Sequence, residues 1–163
     1  KQTLEKKAVA LDVLASEAVL RFLPRADAAG VDLGAKGIEQ TIEVLGNAAL
    51  IEGILNNLID NALRYGRAAS GESHITVSVE QTYQHVTLSV TDNGAGVPSD
   101  KLQQISQRWV QGAAGEALKA GMGLGLAIVG TYAKLLGAQV ALKPVQPNGL
   151  CVCVVFDQQN MRG

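Results

Sequence analysis

Apolar positions along the chain alternate between two spacings, and the changes of spacing mark the predicted elements. Leu11, Leu14, Ala15, Ala18, Val19 and Phe22 recur three or four residues apart, so residues 11–23 are predicted as a helix with one apolar face. Pro24 is expected to kink or interrupt it, with residues 26–29 continuing as far as Gly30. Residues 31–33 and 39–45 read as short strands. A longer amphipathic helix is predicted over 47–65, entered through an Asn47 cap, with Ile51, Ile54, Leu55, Leu58 and Ala62 as its apolar stripe. The spacing then drops to two. Ile75, Val77 and Val79, followed after a turn at 83–85 by Val86, Leu88 and Val90, alternate with polar residues and predict a β-hairpin with one buried face. Residues 66–73 and 92–98 read as loops, 101–109 as a short helix and 111–121 as a small, polar, mobile stretch. A helix over 124–136 ends at Gly137, and a closing hairpin of 139–143 and 150–156 turns at Pro147, Asn148 and Gly149.

Length and composition narrow the picture without deciding it. The 163 residues fit one domain, assigned to 8–158, with charged residues 1–7 as the end of a linker or dimerisation helix and 159–163 as a tail. Hydrophobic residues at 47% and charged residues at 18% indicate a folded chain. A net charge of −1 and an aromatic content of 4% argue against nucleic acid as a partner, since neither a basic patch nor a base-stacking platform is provided. Cys151 and Cys153 lie two apart in an apolar run, so they share one strand face and read as two buried strand cysteines in a reducing compartment. No secretory signal or transmembrane helix is apparent in the sequence.

Candidate chemistry sits in three places. Asn57, Asn61, Arg64 and Tyr65 fall at i, i+4, i+7 and i+8 of the second helix, so they share a face offset from its apolar stripe. Carboxamide oxygens suit a hard cation such as Mg²⁺, an arginine suits phosphate, and a tyrosine ring can lie against a base. Directly after a strand comes Asp92-Asn-Gly-Ala-Gly96, where Gly94 and Gly96 let a ligand approach the main chain and Asp92 offers an acceptor-only carboxylate. Third, Gly121-Met-Gly-Leu-Gly125 opens a helix, where free amides make a phosphate site. Singly, these features have plain alternatives: a solvated helix face, an Asn-Gly turn, a glycine-rich loop. The glycine run is not a dinucleotide-binding fingerprint, because Leu126 stands where glycine is needed and no strand precedes it, and no Gly-Lys-Ser/Thr exists for a Walker loop.

Together and in this order, Asn57-x-x-x-Asn61, Asp92-x-Gly-x-Gly96 and Gly121-x-Gly-x-Gly125 resemble the N, G1 and G2 boxes of the GHKL superfamily of ATP-binding proteins, which includes DNA gyrase, MutL, the heat-shock chaperone ATPase and histidine kinases. The resemblance covers essentially the whole chain after Lys7. It implies a Bergerat-type α/β (α+β) two-layer sandwich: a mixed, mostly antiparallel sheet covered on one face by about three helices. Hydrolytic members usually carry a glutamate base at the first N-box position, where this chain has Asn57, which cannot take up a proton. Asn57, with Arg64-Tyr65 and a degraded F box at Ile105-Ser-Gln-Arg-Trp109, resembles sensor histidine kinases. Ser106 and Trp109 depart from the usual F-box phenylalanines, which leaves the packing of the lid open.

The resemblance assigns roles residue by residue. Asn61 with Asn57 holds Mg²⁺; Arg64 contacts phosphate; Tyr65 lies against adenine or ribose; Asp92 accepts from the adenine amine, in a pocket shaped by Gly94 and Gly96. Gly121, Gly123, Leu124 and Gly125 present amides to phosphates. Arg108 either stabilises γ-phosphate charge, with Lys119 a weaker candidate, or is an ordinary surface arginine. Neither His74 nor His85 is followed by the Glu or Asp that typically adjoins a phosphoacceptor histidine, and neither has a helical context, so both read as surface residues and the phosphoacceptor histidine is expected on another domain of the parent protein. The implied partners are ATP, that domain and a downstream response regulator. The implied setting is the cytoplasmic side of an inner-membrane-anchored homodimer, with the isolated chain a monomer. A hydrolytic GHKL ATPase, a degenerate nucleotide-binding regulatory module and a purely structural α/β domain are the competing readings.

Overall fold

In the computed structural model, residues 4–97, 100 and 124–157 are described. The alternating segments become strands. β1 (Lys7–Ala10) and β3 (Glu43–Gly46) form a small antiparallel pair, while β2 (Val31–Lys36), β4 (Ser73–Gln81), β5 (His85–Asp92), β6 (Gln139–Pro144) and β7 (Leu150–Asp157) form a five-stranded sheet in the order β2-β4-β5-β7-β6. Only β2 and β4 run parallel; the other neighbours are antiparallel. The helices among the described residues are α1 (Leu11–Ala28), α2 (Ala48–Tyr65) and α3 (Leu124–Leu136). The α+β architecture expected from the sequence, a mostly antiparallel mixed sheet with three helices on it, is therefore present.

Side-chain alternation explains why the helices take one face only. Along β5, Val86, Leu88, Val90 and Asp92 are buried, and Leu150, Val152, Val154 and Phe156 repeat the pattern on β7. Their counterparts on α2 are Ile51, Ile54, Leu55, Leu58 and Ile59, each at most 2% exposed. α2 is the hub of the helical layer: it touches α1, α3, β4 and β5. Asn47 caps it as its pattern predicts, its side chain accepting from the Leu50 amide at 3.1 Å. Gly53 lets α3 come close, since a Cβ there would lie 2.6 Å from the Tyr132 ring.

Several boundaries differ from the sequence reading, each for a tertiary reason. α1 runs unbroken through Pro24. The ring costs the bond to the carbonyl of Leu20, but Val19 before it and Ala26 after it are both buried in the common core, and Arg25 is tied to Asp60 of α2 at 2.6 Å. The strand expected at 39–45 is only Glu43–Gly46, with Ile42 anchored by its amide to the Asp12 carboxylate at 2.9 Å. β1 was not expected at all. Its residues pair with β3, and the preceding ones pack on the domain: Lys6 Nζ donates to the Leu136 carbonyl and Asn47 Nδ2 to that of Glu5. His74 lies within β4, at an exposed position. Gly137 ends α3 at φ +73, as expected.

Truncating the centre of α2 tests this layering. Leu55→Ala should destabilise the chain by about 2–5 kcal/mol in urea unfolding, while Leu20→Ala, at a side chain 63% exposed, should cost less than about 0.5 kcal/mol. Comparable losses would show that α2 does not bear the core.

Candidate functional site

The inward row of β5 ends on a carboxylate. Asp92 occupies the position that continues Val86, Leu88 and Val90, and it is only 8% exposed. A buried carboxylate needs hydrogen-bond donors. Asp92 Oδ1 accepts from the amides of Gly94 at 2.9 Å and Leu150 at 3.2 Å. Its Oδ2 faces the C-cap of α2, where a Cβ on Gly66 would lie 2.5 Å from it. Burial pushes the Asp92 carboxyl above its ordinary value, and the two amides only partly oppose that shift.

Backbone packs around this carboxylate too tightly for side chains. A Cβ on Gly94 would sit 2.6 Å from the Gly66 main chain, and one on Gly149 would fall on the Asp92 carbonyl. Gly96, at φ +76, stacks on the Gly149 carbonyl. The G1 loop, the end of α2 and the β6–β7 turn thus meet at Asp92. Asn93 secures the loop from the other side, accepting from the His74 amide at 2.7 Å and donating to the Glu72 carbonyl at 2.8 Å. Gly66, Asn93 and Gly149 were not among the expected site residues. Gly66 ends the helix of the N box and Asn93 lies within the G1 box, but Gly149 belongs to the β6–β7 turn far from any box in the chain, so only the third dimension shows that these segments converge.

The N-box residues divide by environment. Asn61 is 9% exposed, and its side chain has no hydrogen-bond partner among the described residues. Such a buried carboxamide is uncommon and leaves both oxygen and nitrogen available to a ligand. Asn57, one turn earlier, donates to the Gly53 carbonyl at 2.7 Å, which turns its Oδ1 away from the helix backbone. Tyr65 is 63% exposed. Arg64 does not stand free: its Nε donates to both oxygens of Asp60, at 3.2 and 3.0 Å, and Arg25 holds the same carboxylate. Desolvation raises the Asp60 pKa, but the hydrogen bonds and charges of Arg25 and Arg64 outweigh it and hold the group below its ordinary value. Asn57 also lines an open cleft of about 500 Å³ between α1 and α2, with Arg21, Phe22, Arg25, Asn56 and Asp60. Asn61 and Asp92 do not line that cleft, so it flanks their site rather than forming it.

Of the G2 residues, Leu124 and Gly125 form the first turn of α3. Gly121, Gly123, Arg108, Lys119, Ser106 and Trp109, with the elements expected at 101–109 and 111–121, lie outside the described residues. Among the described residues, no group of three or more His, Cys, Asp or Glu gathers to hold a metal, so any cation here relies on carboxamides and its other ligands. No described helix is long and apolar enough to cross a membrane.

This geometry has known counterparts. Residues 46–160 match the profile of the histidine kinase-, DNA gyrase B-, and HSP90-like ATPase family, and the chain belongs to that family. Within it the relatives are sensor kinases. The chain is 37% identical over 109 residues to the sensor protein CreC of Escherichia coli strain K12, which covers 67% of this chain and 22% of that protein. It is 31% identical over 158 residues to the sensor protein CutS of Streptomyces coelicolor, covering 95% of this chain and 37% of that protein. It therefore spans well under half the length of these curated relatives. Among solved structures, the catalytic domain of histidine kinase ThkA superposes with a TM-score of 0.74 at 20% identity, covering 94% of this chain and 96% of that one. Full-length ShkA in complex with AMPPNP gives a TM-score of 0.74 at 23% identity over 95% of this chain and 31% of that one. The fold is that of a histidine kinase catalytic domain.

Two measurements probe the Asp92 cluster. Gly66→Ala drives a methyl group into the Asp92 carboxylate and should cost about 1–3 kcal/mol, whereas Gly34→Ala, with nothing within 4 Å, should stay within about 0.5 kcal/mol. The raised Asp92 pKa means that the folded state keeps this proton to higher pH than the unfolded chain does. Stability from this group is thus present below 3.8 and is lost as pH rises through the folded value. Asp92→Asn should accordingly leave the melting temperature at neutral pH unchanged or higher. A large drop in melting temperature would mean that the charge stabilises the fold.

Proposed function

We propose that this chain binds ATP with Mg²⁺ and serves as the catalytic domain of a sensor histidine kinase, donating the γ-phosphate to a histidine on a separate domain of the parent protein. One observation carries the reading most directly: among the described residues, two buried polar groups, the Asp92 carboxylate and the Asn61 carboxamide, keep unused hydrogen-bonding capacity. Neither is explained by the fold. Asp92 is held by backbone amides on one oxygen, and its other oxygen points toward the α2 C-cap, the arrangement needed to accept from an exocyclic amine such as that of adenine. Asn61 and Asn57 offer neutral oxygens on one helix face, which suits Mg²⁺ already neutralised by phosphates. The exposed ring of Tyr65 stands on the same face to lie against the base or ribose.

ATP supplies the phosphoryl group, and Mg²⁺ neutralises charge on its phosphates as the transfer proceeds. The chain's own part is positioning. Asp92 and the G1 glycines fix the base; Asn57 and Asn61 fix the cation; amides at the start of α3, with Gly121, Gly123, Leu124 and Gly125, receive phosphate; and Arg108 stabilises the γ-phosphate. Arg64 reaches phosphate only by leaving or sharing Asp60. That ion pair is exposed, and such pairs are worth about 0–1 kcal/mol, so the exchange is inexpensive. No carboxylate stands at the first N-box position to activate water. Asn57 therefore favours transfer to an incoming nucleophile over hydrolysis. The relatives' length supports a parent protein carrying further domains, including the phosphoacceptor and, through it, a response regulator, with membrane anchoring on the same footing.

Calorimetric titration with ATP or a non-hydrolysable analogue tests the proposal. The unmutated chain should bind one equivalent. Asp92→Asn should lose about 1–3 kcal/mol of affinity while remaining folded. Asn61→Ala should lose only the Mg²⁺-dependent part and match the unmutated chain in EDTA. Absence of binding, or equal losses with and without Mg²⁺, would overturn the respective assignments. The isolated chain should form no stable phosphohistidine of its own, and steady ATP hydrolysis by it would favour a hydrolytic ATPase instead.

A further inference from the structure

The face of the sheet away from the helices carries chemistry that nucleotide binding does not use. Cys151 and Cys153 alternate with the inward residues Leu150, Val152 and Val154, so both project from that opposite face. Their sulfurs are 3.5 Å apart, Cys151 is half-buried and Cys153 is buried, and neither forms a disulfide. Cys151 stands opposite Thr91 on β5 and Lys143 on β6, and Cys153 opposite Ser89 and Ala141. The sequence reading of two strand cysteines sharing one face holds, with Cys153 buried as expected and Cys151 only half-buried, and the face is the one that the described helices do not cover.

We propose that Cys151 and Cys153 form a two-thiolate site for a single soft, thiophilic metal ion of the monovalent copper type. Strand geometry argues against direct oxidation of the pair to a disulfide. Residues two apart on one strand are separated by about 6.6 Å, whereas a disulfide brings its Cβ atoms to about 3.5–4.5 Å. The strand would have to buckle between β5 and β6, which hold it on both sides. An ion between the sulfurs removes that conflict. Metal–sulfur bonds of about 2.3 Å span a sulfur–sulfur separation of about 3.8 Å at a tetrahedral angle and about 4.6 Å when linear. The thiols therefore need to part by a few tenths of an ångström to about 1 Å, within reach of rotation of the half-buried Cys151 side chain. The hydrogen bond between the two thiols, in which either sulfur can be the donor, lowers the Cys151 pKa to about 6 and so favours its thiolate, the form that binds metal, while the same bond and burial push the Cys153 thiol up.

The donor set selects the ion. No third His, Cys or carboxylate joins the pair among the described residues, so a four-coordinate protein cage for zinc is not provided. Two thiolates satisfy a soft monovalent ion. On binding, two metal–sulfur bonds form, the remaining thiol hydrogen leaves to solvent as a proton, and no electron is transferred. The site stands apart from the nucleotide reading and does not depend on it.

The test is competition for copper(I) between the reduced chain and a chromophoric copper(I) chelator, under anaerobic conditions. The expected result is one copper(I) per monomeric chain, with affinity falling by more than about 100-fold in Cys151→Ala and in Cys153→Ala, more than the loss of a supporting neighbour produces. Thermal melting checks that each variant is folded; Cys151→Ala, at the more exposed position, decides the matter if Cys153→Ala unfolds. Four outcomes would overturn the proposal: no copper taken from the chelator, copper retained by a folded variant, an ion bridging two chains in a copper-induced dimer, or tighter binding of zinc than of copper.

Discussion

The structure depends on keeping one carboxylate out of water. Asp92 ends a row of inward-facing apolar residues, and hydrogen bonds from two backbone amides compensate only part of its desolvation. Those amides come from different places: the loop following β5 and the first residue of β7. To bring them in, three chain segments must approach at main-chain contact, and glycine stands at each approach, at Gly66, Gly94 and Gly149. The cluster is thus a local sacrifice of stability for a fixed acceptor, the kind of strain that functional sites hold and the surrounding fold supports.

The support comes from α2. Its apolar stripe locks it over β4 and β5, it carries Asn57, Asn61 and Tyr65, and its C-cap Gly66 abuts Asp92. The helix is therefore both core and site, and its two jobs are separated by rotation about its own axis. Asp60 completes the arrangement by tying Arg25 of α1 and Arg64 of the same helix to one carboxylate. Those contacts are largely exposed, so they orient side chains more than they stabilise the fold.

The two faces of the sheet follow different rules. The inner face is apolar, packed by the three described helices, and ends in the Asp92 cluster. The outer face presents threonines and serines that stay partly exposed, and the Cys151–Cys153 pair, of which Cys151 is half-buried and Cys153 buried. Strand alternation alone keeps these chemistries apart: a residue and its neighbour on β7, Leu150 and Cys151, serve opposite sides of the same ribbon.

Much of the fold was legible in periodicity. α2 with its Asn47 cap, the β4–β5 hairpin, α3 ending at Gly137 and the last hairpin all follow from local spacing and turn chemistry, because burial of one face imposes that spacing on the sequence. The motif residues were legible for a related reason: asparagines, arginine and tyrosine on one helix face, and glycines beside an aspartate, are unusual enough to stand out. What the sequence could not specify was convergence. That Pro24 sits inside an unbroken α1, that β1 exists to pair with β3, and that Gly66 and Gly149 close on Asp92 are decided by contacts between residues far apart in the chain. The environment of Asn61, buried and without a partner among the described residues, belongs to the same class. Local patterns record what each segment requires, while only the tertiary structure determines which segments meet.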